Sequence, residues 1–202
     1  MLRRLLVSLS CISFATLSCG HFKRPLPPEL PAVSLARPEP AERASAPDAA
    51  VESAIRYLDA RKTGLSSEEV ARVAQAIVSE ARLRAIDPNL VMAVIHVESR
   101  GNAFALSPVG AMGMMQIMPP TGEELAAKLD IPWFGAQTLF DPLVNVRMGI
   151  AYLEELHLRY GNTPTALAAY NWGPGRIDSR LERGDSLPAI YTGSVLAAYR
   201  AH

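Results

Sequence analysis

Cysteine is nearly missing: the 202 residues hold two, Cys11 and Cys19, both within the first twenty positions. The rest of the chain forms no disulfide of its own, and its stability must come from a packed core. An excess of either charge is missing too. Twenty basic side chains balance twenty acidic ones, so the overall field gives no pull toward nucleic acid or an anionic surface. The basic residues are dispersed, and no nucleic-acid partner is expected. After the N-terminus no unbroken apolar stretch reaches the roughly 18 residues that a membrane-spanning helix needs. No glycine-rich phosphate loop follows a strand, and the His-Glu-x-x-His pattern is absent. His96 and Glu98 stand two apart on different helix faces, and His157 stands alone in "LEELHLRY" without the companions a metal requires. No metal and no cofactor are expected.

What is present begins with "MLRRLLVSLSCISFATLSCG". Arg3 and Arg4, an apolar run to Leu17, then Ser18, Cys19 and Gly20 make a secretory signal over residues 1–19. Cys19 stands where a bacterial lipoprotein signal places its lipidated cysteine. Ser18 fits that pattern, while Leu17 and Thr16 depart from it, and ordinary cleavage near Ser18 is the alternative. The expectation is an exported, periplasmic protein held at the outer membrane by a lipid on Cys19; Gly20 is not the aspartate that commonly retains lipoproteins on the inner membrane. Residues 20–50 are rich in proline and alanine without amphipathic period, a semi-rigid linker. At about 3.1 Å per residue it would reach roughly 80 to 90 Å.

From residue 51 to 202 the pattern is helical, and its size and apolar content suit one core. Val51–Lys62 reads as a short helix. Ser66 and Glu69 form a capping box ahead of a helix running through Ile86. Asp87-Pro88 opens "NLVMAVIHVES", apolar nearly all round and therefore central. Thr121 with Glu124 opens a short helix, Asp141-Pro142 a longer one up to Gly161, and Thr163-Pro164 another. A last helix is expected over Pro188–Arg200. No alternating strand run appears, so the fold class is mainly α, a single globular domain with little or no sheet.

Three stretches can carry chemistry. Glu98 ends the central apolar helix, where the negative end of the helix dipole and apolar surroundings both disfavour the charged form. Such a carboxyl stays protonated near neutral pH, as a general acid must; a solvated helix-end glutamate is the plain alternative. Next comes "SPVGAMGMMQIMPP", in which Gly110 and Gly113 permit close backbone approach. Met114, Met115 and Met118 offer adaptable apolar surface, and Gln116 an amide suited to hydroxyl and acetamido groups. The segment lines a groove for a sugar chain, or else fills a core with methionine. Third, "AAYNWGPGRI" ends a helix with Tyr170 and Asn171 and turns through Gly173-Pro174-Gly175; Trp172 there can stack on a sugar face.

"ES" at a helix end, then "SPVGAMGMMQIMP", then "AAYNWGPG", in this order and spacing, closely resembles the soluble lytic transglycosylase family over roughly Asp87 to Ala201. The resemblance implies a lysozyme-like catalytic domain acting on peptidoglycan glycan strands. It makes Glu98 the single catalytic acid and places Ser99 in the same motif. Ser107, Met115, Gln116, Met118, Tyr170 and Asn171 fall on substrate-binding positions. Met114 replaces the usual leucine, a volume-conserving exchange. "LPAIYTGSV" stands where many members have Pro-x-x-Glu-Thr-Arg, with Tyr191 at the glutamate and Gly193 at the arginine, so contacts that those charges make to the peptide stem are not expected here.

The implied reaction is cleavage of the β-1,4 bond between N-acetylmuramic acid and N-acetylglucosamine, leaving a 1,6-anhydro end. Glu98 would protonate the glycosidic oxygen and then take the proton of the C6 hydroxyl as that group attacks within the same sugar. A hydrolytic muramidase needs a second carboxylate about 5 to 9.5 Å away; Asp130, Asp141 and Glu154 are the candidates, and none lies in a motif. A non-catalytic peptidoglycan anchor is the third reading, opposed by the intact Glu98. General wall turnover and service to a secretion or envelope-assembly machine both suit such a domain.

Overall fold

The computed structural model describes residues 48–201, so the signal, Cys19 and nearly all of the linker lie outside the described residues. Helix α1 (Ala49–Asp59) starts two residues earlier than Val51 because the Asp48 carboxylate accepts from the Ala50 N–H and also pairs with Arg82. Helix α2 (Ser67–Leu83) has the expected capping box, with Ser66 and Glu69 satisfying each other's backbone donors. It stops three residues short of Ile86, where Ala85 takes a positive φ of 53°. Asp87 caps α3 (Pro88–Ser99) through Asn89 N–H, with Pro88 preset for the first turn.

The later elements depart from the sequence expectation at several points. Helix α4 (Pro119–Lys128) begins on Pro119-Pro120 with no side-chain cap, so Thr121 and Glu124 sit inside it rather than opening it. A 3-10 turn over Ala136–Phe140 precedes α5 (Pro142–Tyr160), which Asp141 caps through Leu143 and Val144 N–H. Helix α6 (Thr163–Trp172) is capped by the Asn162 side chain, which accepts from Thr165 N–H. Gly173-Pro174-Gly175 was expected as a turn only; instead Pro174 initiates a further helix, α7 (Pro174–Arg183). The last is α8 (Ile190–Arg200), which starts at Ile190 rather than at the expected Pro188.

Helix α3 occupies the centre. Val91, Ala93, Val94 and Ile95 are fully buried, and the helix packs on α8, α2 and α1. Ile77 from α2, Met148, Ile150 and Leu153 from α5, and Leu167 from α6 complete one core. Among the described residues there is no strand; two isolated antiparallel bridges, Leu106 to Met112 and Met112 to Ile117, shape the segment between α3 and α4. That segment is where the site is built.

Candidate active site

Helix α3 runs from the interior to the surface and delivers Glu98 in its last turn. Arg100 then takes a left-handed conformation, φ 57°, and the chain turns away. Burial against apolar surface pushes the Glu98 carboxyl up from 4.5 to about 7; a hydrogen bond from Tyr191 opposes this. The Tyr191 hydroxyl donates to Glu98 Oε1 at 2.6 Å. No other carboxylate contributes to that shift. Tyr170 and Tyr191 both stand close enough that the charge of Glu98 pushes their own hydroxyls up, after burial itself.

The residue after the acid is a clamp. Ser99 Oγ donates to the Met114 carbonyl at 2.7 Å and accepts from Gly101 N–H at 3.1 Å, which fastens the 105–118 segment to the end of α3. Tyr170 does the same from α6, donating to the Met115 carbonyl at 2.9 Å while its ring lies 5.3 Å from that of Tyr152. The third fastening is Asn145, fully buried on α5. Its Oδ1 accepts from Met115 N–H at 2.8 Å, and its Nδ2 donates to the Met112 and Leu139 carbonyls, each at 2.9 Å. Gly113, at φ 79°, lies so close to this amide that a Cβ there would collide with it. The glycine thus admits the protein's own α5 rather than a ligand.

The methionines divide. Met114 and Met115 are fully buried, the latter against Gly149, and belong to the core. Met115 therefore offers a ligand no side-chain surface, contrary to the groove-lining expectation; its carbonyl is what the site uses. Met118 is 40% exposed and keeps apolar surface at the mouth. Gln116, at φ 50°, braces its own loop, Nε2 donating to the Ala105 and Gly113 carbonyls at 3.2 and 2.9 Å. Its Oε1 has no partner among the described residues and remains an acceptor. Ser107 Oγ accepts from Ala111 N–H at 2.9 Å and keeps its own proton to donate. Asn171 is exposed at the outer end of α6, beside Trp172.

Tyr191 and Asn145 were missed as site residues. Tyr191 reads in the sequence as a charged residue lost, yet it is the side chain that holds the acid, across 93 positions of chain. The signal for Asn145 is local: one amide interrupts the stripe shared with Met148 and Gly149, and an apolar stripe broken by a single amide marks a buried, fully bonded group. Of the other candidate carboxylates, Asp130 is exposed after α4 at a φ of 52°, and two have structural employment. Asp141 caps α5, and Glu154 pairs with Arg84 at 2.9 Å. A separate apolar cavity of about 280 Å³ opens at the far end of α3, where Asp87 is occupied by the Tyr199 hydroxyl at 2.5 Å.

The family model for the transglycosylase SLT domain matches residues 75–190. A transglycosylase of Enterobacteria phage PRD1 is 36% identical over 127 residues, 55% of this chain and 44% of the phage protein. The soluble lytic murein transglycosylase of Salmonella typhimurium is 40% identical over 94 residues, 46% of this chain and 15% of its own. Among solved structures, the 70 kDa soluble lytic transglycosylase of Escherichia coli superposes with a TM-score of 0.57 at 26% identity, over 75% of this chain and 29% of that one. The chain thus spans less than half the length of these proteins, and the solved structure shares its helical, lysozyme-like fold. A match over more than half of its residues makes this chain a member of the SLT transglycosylase domain family.

Proposed function

We propose that this protein is a lytic transglycosylase that cleaves the β-1,4 bond between N-acetylmuramic acid and N-acetylglucosamine of peptidoglycan and leaves a 1,6-anhydro end. The observation that carries the reading is the state of Glu98: one carboxyl raised to about 7, with burial as the cause and no second carboxylate bearing on it. Because Tyr191 donates to Oε1, Oε2 is the oxygen left to carry the acidic proton to the glycosidic oxygen in this reading. As that oxygen takes the proton, the C1–O bond breaks and positive charge develops at the anomeric carbon, where the sugar's own N-acetyl carbonyl stabilises it. The burial that kept Glu98 protonated now makes its carboxylate a competent base. It removes the C6 hydroxyl proton, the C6 oxygen bonds to C1 of the same ring, and the acid is restored. Proximity supplies what a free nucleophile would lack. The Ser107 hydroxyl, Gln116 Oε1, Met118 and Asn171 are the contacts left to the strand.

A hydrolase reading lacks support, since Asp141 and Glu154 are committed elsewhere in the fold and Asp130, exposed after α4, does not bear on the Glu98 carboxyl. In the same proposal the domain is exported, and a lipid on Cys19 tethers it to the outer membrane through the linker. The test is mass spectrometry of soluble products from purified peptidoglycan, with Glu98→Gln as control. Products one water lighter than reducing muropeptides, absent with the control, are expected. Reducing ends would mean a hydrolase, and binding without products would mean an anchor.

A further inference from the structure

Trp172 ends α6 with 38% of its surface exposed, and two guanidinium groups from α7 lie beside its ring, Arg176 at 5.3 Å and Arg180 at 5.8 Å. The carboxylates nearby are taken: Asp178 by Arg159 at 2.5 Å and by the Tyr160 hydroxyl at 2.8 Å, and Asp185 by Arg183 at 2.9 Å. Among the described residues neither Arg176 nor Arg180 has an ion-pair partner, so two cations share one indole. The patch is bracketed by stretches that feed the acid. Tyr170, which feels the charge of Glu98, stands two residues before Trp172. Arg180 Nη1 donates at 2.9 Å to the carbonyl of Ser186, in the segment that leads to Tyr191 on Glu98.

A guanidinium packed on an indole face keeps its in-plane N–H donors outward, and that fork matches a carboxylate. We propose that Trp172, Arg176 and Arg180 form a subsite for the carboxylates of the peptide stem carried by the strand in the cleft. The proposal rests on the transglycosylase reading of Glu98. Neutral sugars would offer two unpaired cations hydrogen-bond acceptors but no opposite charge, whereas a stem has carboxylates for the fork and apolar side chains for the indole. A stem is also covalently continuous with the sugar at Glu98, so its local concentration at the patch is high once the strand is bound.

The test uses the full chain and two matched substrates: peptidoglycan strands with native stems, and the same strands with their stem carboxylates converted to carboxamides. The unmodified protein should prefer native strands by about tenfold in KM, a factor in keeping with one charge-assisted contact. Arg176→Gln and the Arg176→Gln/Arg180→Gln pair should lose that preference, and Arg176→Gln, which leaves the Arg180 bond to Ser186 in place, should keep its turnover of amidated strands. Among the described residues Arg176 makes no hydrogen bond, so the single variant guards against misfolding of the pair, and Arg176→Lys should restore part of the preference. Equal loss on both substrates, or no preference in the unmodified protein, would overturn the subsite. So would the arginine variants losing binding to anionic phospholipid vesicles alone, which would make the patch a membrane contact. Binding of the Glu98→Gln protein to the two strands reads the subsite even if no bond is cut, which separates its failure from failure of the catalytic reading.

Discussion

Glu98 keeps its proton because it is buried, and this has a thermodynamic consequence beside the catalytic one. Between pH 4.5 and about 7 the folded chain holds a proton that the unfolded chain releases. Stability therefore falls as pH rises through that window and stays lower above it. Glu98→Gln removes the penalty: denaturant unfolding should find the variant more stable by on the order of 2 kcal/mol at pH 8 and nearly equal at pH 4. Activity has the same origin, since the reaction starts from the protonated acid, and kcat/KM should decline as pH rises past about 7. The Tyr191 hydroxyl favours the charged form, so Tyr191→Phe should move that decline to higher pH, a shift a pH–rate profile reads directly. An unmoved profile would mean that Tyr191 does not hold the acid in solution. The acid was legible in the sequence because its environment is local, the end of an apolar helix. Its partner was not, because nothing near Tyr191 reports what α8 faces.

At the scale of elements, the active-site loop has little structure of its own and is hung between three helices by Ser99 on α3, Asn145 on α5 and Tyr170 on α6. Asn145→Ala would strand the Met115 N–H and the Leu139 carbonyl in the interior, each worth about 1 to 3 kcal/mol, and leave the Met112 carbonyl with Ile117 N–H alone. Thermal and chemical unfolding should show a loss of about 3 kcal/mol or more, with activity reduced further because the loop that carries Met118 and Gln116 loosens. A loss below 1 kcal/mol would mean the loop is held otherwise. Asp141→Asn, which can still cap α5, should leave products and rate unchanged; a collapse of activity would revive it as a second carboxylate. The starts of α2, α3 and α5 were readable because serine and aspartate caps and first-turn prolines act over three or four residues, whereas α6 is capped by Asn162, one residue before the Thr163 that the sequence suggested. Helix α7 was not, since Gly173-Pro174-Gly175 satisfies the rules for a turn and for a helix start alike, and the choice falls to Ile177, whose burial holds the helix down.

For the molecule as a whole, one core built around α3 serves both stability and chemistry, because the helix that is most buried is the one that carries the acid outward. No helix among the described residues is long and apolar enough to cross a membrane. If Cys19 is the anchor, Cys19→Ser should move the protein from the membrane to the soluble fraction of expressing cells without altering its products; unchanged fractionation would remove the lipid from the proposal. The methionine-rich stretch looked equally suited to a groove and to a core, and it supplies both: Met114 and Met115 turn inward and Met118 outward. Sequence could not divide them, because the division depends on fastenings from three distant helices. Those fastenings grip main-chain atoms of Met112, Met114 and Met115 and never a side chain of the loop. Outward residues such as Val109 and Met118 can therefore be exchanged by mutation without unfastening the frame, so the surface offered to a ligand can diverge while the scaffold around Glu98 is inherited.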